Sequence, residues 1–162
     1  MASRIKQKIS IAGVPWLTEQ GLDLSCFPID SVLRQALSPD DQQFRSGCNL
    51  LSSMSHGGRV EAGVFLLGLL RLYPEDYARL TVIAEVLGSF PAPATVDALA
   101  SELRRVKGSS ATRAYLRRVI DTLELFPAHL VDEQIELLSS DPQVGIRFRQ
   151  RLRSIAFPDI DD

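Results

Sequence analysis

The chain has 162 residues, a formal net charge of −2, 45% apolar and 23% charged side chains. These proportions suit one soluble globular domain and are too apolar for a disordered chain. The balanced charge excludes a whole-molecule field that would draw in DNA or an anionic membrane. Two cysteines, Cys26 and Cys48, and two histidines, His56 and His129, exclude a disulfide framework and a centre of clustered imidazoles.

Arg4, Lys6 and Lys8 are not followed by an apolar run of signal-peptide type. The longest apolar stretch, Ala62 to Leu70 with its glycines counted, has nine residues, against about 20 for a bilayer crossing. A cytoplasmic chain with reduced thiols and no membrane association is expected. Residues 4–11 alternate, with Ile5, Ile9 and Ile11 on one side and Lys6, Lys8 and Ser10 on the other. That period belongs to a strand. No partner strand is predicted elsewhere, so this stretch is expected to be a loose arm or to add to a sheet in another copy. Residues 13–28, with Gly13, Pro15, Gly21 and Pro28, read as loop with one short turn at Trp16-Leu17-Thr18-Glu19.

Beyond Pro28 the periodicity predicts eight helices, near 29–37, 40–55, 59–72, 75–90, 94–107, 110–126, 129–139 and 142–156. Ser38-Pro39-Asp40-Asp41 offers a hydroxyl N-cap, a proline at the first helical position and two acids at the positive helix end. Asp141-Pro142 repeats the cap and proline, and Pro74-Glu75-Asp76 the proline and acids. The helix at 59–72 is apolar nearly all round and is expected to be central and buried on every side. Gly63 and Gly68 would then admit close neighbours, with Trp16, Phe27 and the short helix at 30–37 as cover.

A shift of 36 residues superposes Phe44, Leu80, Leu116 and Leu152; Leu51, Leu87 and Leu123; and Met54, Phe90 and Phe126. Between them Val60 meets Val96, Ala62 meets Ala98, and Leu67 meets Leu103. A period of 35–40 residues made of two helices is the pattern of an α-solenoid. Arg45, Arg79, Arg113 and Arg147 are spaced by 34 instead. Two residues turn a helix by about 200°, so these arginines cannot share one equivalent place while the leucines do.

Asp141-Pro142-Gln143-Val144-Gly145-Ile146-Arg147 resembles the inter-helix turn of HEAT repeats, in which Asp-Pro caps the second helix and an aliphatic-Arg pair opens its packed face. Ser38-Pro39 through Phe44-Arg45 is a looser version, and Leu87-Gly88 resembles the small-residue end of the same helix. The unit around 110–126 departs from the pattern, with Ser109-Ser110 in place of Asp-Pro. The resemblance covers residues 29–157. It implies an all-α chain, an α/α superhelix of about four antiparallel helical pairs. An irregular N-terminal arm (1–28) would precede it and an acidic tail (158–162) follow.

Between Leu103 and Ile120 lie Arg104, Arg105, Lys107, Arg113, Arg117 and Arg118, with no acid among them. Arg147, Arg149, Arg151 and Arg153 follow one unit later. Stacking would set Arg113 and Arg117 near Arg149 and Arg153, a ridge able to grip carboxylates or phosphates bidentately. Asp121, Glu124, Asp132, Glu133 and Glu136 lie near enough to neutralise part of it, and Arg104, Arg105 and Lys107 also suit a helix C-terminus. Nucleic acid is disfavoured, because base stacking wants exposed aromatics and only Tyr115 stands among these cations.

No catalytic constellation is visible. Gly57-Gly58 lacks the downstream Lys-Ser/Thr of a phosphate loop. His56 has no cysteine or carboxylate within a helical turn, and His129 with Asp132 and Glu133 reads as local charge pairing. Cys48 falls among the apolar positions of its helix, a small core residue. The expected function is a non-catalytic adaptor or scaffold, without cofactor or metal. It would bind an acidic segment of another protein through the concave helix row and the arginine ridge, and self-associate through the arm or the solenoid ends. Two alternatives come with the resemblance: an enzyme-complex subunit, since HEAT-like repeats also occur in phycobilin lyases and in a group of DNA glycosylases, and an RNA- or DNA-binding module.

Overall fold

The computed structural model describes residues 10–157 except 12; the expectations placed on Ile5, Ile9 and the tail at 158–162 lie outside it. The described chain is mainly helical. A small antiparallel sheet, β1 (Ser10–Ile11), β2 (Val14–Thr18) and β3 (Gly21–Leu22) in that order, precedes eight α-helices. These are α1 (Ile29–Ala36), α2 (Asp41–His56), α3 (Val60–Leu72), α4 (Tyr77–Val86), α5 (Pro93–Arg105), α6 (Arg113–Glu124), α7 (Ala128–Ser140) and α8 (Ile146–Ala156), with a 3-10 turn at Leu87–Ser89 after α4.

The sheet corrects the loop expected at 13–28, and it gives Ser10–Ile11 a partner within the chain. Leu17 pairs with Leu22 and Thr18 with Gly21. The tight turn between them closes because Gly21 takes φ +113 and the Thr18 hydroxyl donates to its carbonyl at 2.9 Å. Trp16 meets Phe27 edge-on, and the Arg59 guanidinium donates to the carbonyls of Leu24 (3.4 Å) and Phe27 (2.5 Å). The N-terminal segment is thereby tied to the start of α3.

Asp40, not Ser38, caps α2: its carboxylate accepts from the Gln43 N–H at 2.8 Å, while the Ser38 hydroxyl accepts from the Asp40 N–H. Asp76 does the same for α4, accepting from the Arg79 N–H at 3.1 Å. Asp141 does not cap α8, which starts five residues later, at Ile146 behind Gly145. Its carboxylate closes a turn on the Gln143 N–H (2.9 Å) and pairs with Arg104 instead. The turn at 107–112 is built from hydroxyls. Ser109 and Thr112 exchange backbone-to-side-chain bonds of 2.9 and 3.2 Å, and the Thr112 hydroxyl donates to the Lys107 carbonyl.

Helices pair along the chain, α1 with α2, α3 with α4, α5 with α6 and α7 with α8. In addition α2 packs on α4, α4 on α6 and α6 on α8, in sequence order. Phe44, Leu80, Leu116 and Leu152 are all buried on this even-numbered row. Each leucine of that kind removes side-chain area worth roughly 1.5–3 kcal/mol. The row is also tied by polar bonds. The Thr122 hydroxyl on α6 donates to the Ala84 carbonyl on α4 at 2.8 Å, and Arg151 on α8 pairs with Asp121 and Glu124 on α6.

The central element is α4, which packs on α2, α3 and α6 and buries six of its ten residues. Helix α3 is not enclosed: Val60, Val64 and Leu72 are exposed, because it packs on α2 and α4 and leaves its opposite face to solvent. Gly63 does admit a neighbour, the Phe90 ring lying where a β-carbon would stand, whereas nothing approaches Gly68. The odd helices keep a different spacing. Ala62, Gly63, Leu66 and Leu70 correspond in burial to Thr95, Val96, Leu99 and Leu103, three residues short of 36, so Val60 does not match Val96. Helix α4 ends early, at Val86, and α5 starts six residues after Leu87, where α3 starts nine after Leu51.

Candidate functional site

Three seams separate successive helices of the even row, and their ends differ in chemistry. At the first, Arg79 of α4 is nearly buried. It donates to the carbonyls of Ser38 (3.0 Å) and Pro39 (2.8 Å), to the Tyr73 hydroxyl (3.2 Å) and to Asp41 (3.0 Å). Its guanidinium carbon stands 4.5 Å from the centre of the Phe44 ring and 5.1 Å from that of Tyr73. Asp76 approaches it at 3.6 Å. Only about 80 Å³ of cavity is left there, lined by Asp41, Asp76, Arg45 and Arg79 among others. The nearly buried cation thus meets its carboxylates at the surface, where Asp41 and Asp76 keep 83% and 47% of their side chains exposed.

At the second seam Tyr77 and Tyr115 meet with ring centres 5.9 Å apart. Tyr115 is fully buried and donates to Glu102 at 2.7 Å. Burial, followed by that carboxylate, holds its phenol well above the ordinary tyrosine range. It is therefore no exposed stacking platform among the cations.

The third seam is open. A groove of about 580 Å³ runs between α6 and α8, with Arg113 and Arg117 on one wall and Arg147 and Arg151 on the other. Gly108 and Gly145 flank the Phe148 ring, which lies 3.6 Å from where either would carry a β-carbon. Ile146 stands at the lip, 64% exposed. Arg151 is engaged, 2.6 Å from both Asp121 and Glu124. Arg113, Arg117 and Arg147 form no ion pair among the described residues. The N-termini of α6 and α8 open beside them and add to the positive potential.

The arginines that meet are thus not all the expected ones. Arg147 and Arg151, not Arg149 and Arg153, face Arg113 and Arg117, because a two-residue offset lies on the opposite side of a helix. Arg153 donates to the Ser139 carbonyl at 3.2 Å. Arg149 sits near enough to Asp141 to contribute to its lowered carboxyl, whose first cause is the Arg104 hydrogen bond. Arg104 is spent on Asp141 (2.7 Å), Arg105 on Glu102 (2.6 Å), and Arg118 lies 4.0 Å from Glu85. Lys107 is exposed in the preceding turn. Sequence reasoning missed Phe148 and the two glycines beside it; a glycine and a phenylalanine three residues apart across the start of an arginine-rich helix are the signal that was there.

Cys48 is buried in the core, and desolvation pushes its thiol up to about 12. Among the described residues no group of histidine, cysteine or acidic side chains is arranged to hold a metal ion, and no helix is long and apolar enough to cross a membrane. Compared with protein-family models, curated proteins and solved structures, the chain matches none.

Proposed function

We propose that the chain is a cytoplasmic, non-catalytic interaction module, a HEAT-like α/α superhelix that docks another protein through the arginine groove between α6 and α8. The sequential packing of α2, α4, α6 and α8 supports the superhelical reading, since each helix of that row hides its apolar stripe against the next. The observation that carries the function is the groove itself. Three arginines with no ion-pair partner among the described residues line one concave surface with an apolar floor. Free guanidinium groups in a groove suit bidentate capture of carboxylates.

The test is affinity capture from native extract with the wild type and the Arg113→Glu, Arg117→Glu double variant, each with and without nuclease. A nuclease-resistant protein partner held by the wild type and lost by a variant of unchanged helical circular dichroism is expected. Capture that survives the charge reversal, or that vanishes with nuclease, overturns the reading.

A further inference from the structure

The first and third seams are the same place in the fold, two units apart. Along the register set by Phe44, Leu80, Leu116 and Leu152, a step of 72 residues carries Asp41 to Arg113, Arg45 to Arg117, Asp76 to Phe148 and Arg79 to Arg151. All eight residues line the two cavities in question. At the first seam two arginines face two aspartates, and the space closes to about 80 Å³. At the third, one aspartate has become arginine and the other phenylalanine, and the space opens to about 580 Å³. Half-way between them, a step of 36 puts the uncharged Tyr77, Thr81, Thr112 and Tyr115 at these four places. The series runs from self-neutralised through uncharged to purely cationic.

We propose that the third seam binds an extended acidic segment of a partner protein whose carboxylates take the part that Asp41 and Asp76 play at the first. This deepens the docking function above and rests on it. The geometry specifies the segment further. Arg113 and Arg117 are one helical turn apart, about 6 Å along α6, and alternate residues of an extended chain repeat every 6.4–6.8 Å or so. Two carboxylates separated by one residue therefore match the two arginines. Next in the alternation an apolar side chain meets Phe148 and Ile146 at the mouth. Arg151 adds no net charge at the far end, being taken up by Asp121 and Glu124. The uncompensated charge thus sits at Arg113, Arg117 and Arg147. Carboxylates are favoured over phosphate because the fold itself meets the arginines of this row with carboxylates, Arg79 with Asp41 and Asp76 and Arg151 with Asp121 and Glu124, and over nucleic acid because the floor is one half-buried phenyl ring rather than a stacking platform.

The probe is an acetylated, amidated peptide Leu-Gly-Asp-Gly-Asp-Gly titrated into the isotope-labelled full chain and followed by amide shifts. Expected are shifts confined to residues 108–117 and 145–151. The Asn-for-Asp peptide should bind at least about tenfold more weakly, the scale of losing one charge-assisted contact. Arg113→Asp restores one of the first seam's two aspartates at the third and suits a helix N-terminus; it should weaken binding by about tenfold or more while keeping the thermal midpoint. Arg147→Gln is the second variant, with the same direction expected. Equal binding of both peptides, shifts outside the groove, or stronger competition by inorganic phosphate or a short oligonucleotide at equal charge would overturn the proposal. If affinity capture still yields a protein partner sensitive to Arg113 and Arg117 while these peptides fail, the docking function stands and this description of its ligand falls.

Discussion

Arg79 gives the sharpest test of how the seams are held. Replacing it by methionine keeps most of the apolar stem and removes the guanidinium. Lost are two bonds to backbone carbonyls, one to Tyr73 and one to Asp41, together with the contacts to the Phe44 and Tyr73 rings. The Asp41 side chain is 83% exposed, so that pair is screened and contributes little. The two carbonyl bonds to a charged donor contribute roughly 1.5 kcal/mol each, and the ring contacts about 1 kcal/mol together. Water entering the seam returns part of this, leaving a loss of about 3 kcal/mol. For a chain of this size that lowers the thermal midpoint by about 6–12 °C. Arg79→Lys keeps the charge without the fork and should lose about half as much. Urea and thermal denaturation followed by circular dichroism measure both. A methionine variant within about 0.5 kcal/mol of the wild type would refute the view that this arginine fastens the α1–α2 turn to α4.

Gly47→Ala should destabilise by about 1–3 kcal/mol, because the new methyl lands on the Ala36 backbone, although alanine favours a helix by about 1 kcal/mol; a raised midpoint would contradict the close α1–α2 approach. Alkylation at pH 7.5 should label exposed Cys26 at once and Cys48 only as fast as the chain unfolds, and equal rates would place Cys48 outside the core. Since its folded thiol is raised from 9.0 to about 12, Cys48 should also cost stability as pH rises above 9, an effect absent from Cys48→Ala once its cavity is allowed for. Asp141, held low chiefly by Arg104, and Glu61, held low chiefly by Arg59, contribute stability above the ordinary carboxyl range that disappears as pH falls through their lowered values. Asp141→Asn should accordingly be less stable at pH 7 and show a flatter stability curve between pH 5 and 2; an unchanged curve would deny the ion pair a role.

The eight helices were legible because their apolar stripes and their punctuation agree. Asp40 and Asp76 accept from the N–H three residues on, as a residue-by-residue reading of N-terminal chemistry requires. Such reading slipped where two candidates competed. Ser38 and Asp40 both offer an oxygen, and the carboxylate nearer the helix axis took the cap. Asp141 offered the same oxygen but was drawn to Arg104, 37 residues away, a partner no local pattern reveals. Hydrophobicity alone misplaced α3, since its neighbours α2 and α4 cover one side and leave Val60, Val64 and Leu72 exposed on the other. The arginine groove was partly visible: Arg113, Arg117, Arg147 and Arg151, four of the ten basic residues singled out, line it, and the expected pairing across it was off by two positions. Which face of α8 looks toward α6 depends on where that helix starts, and the start moved from 142 to 146.

The run of seams from self-neutralised to cationic gives a nearly neutral molecule a direction. Its net charge of −2 exerts little pull at a distance, yet one end of the even row carries three guanidinium groups that are unpaired among the described residues, at a concave surface where field lines gather. An anionic chain arriving by diffusion is turned to face that end before it touches. Added salt should therefore slow capture more than it hastens departure, with the sensitivity fading beyond a screening length of about 8 Å at physiological ionic strength.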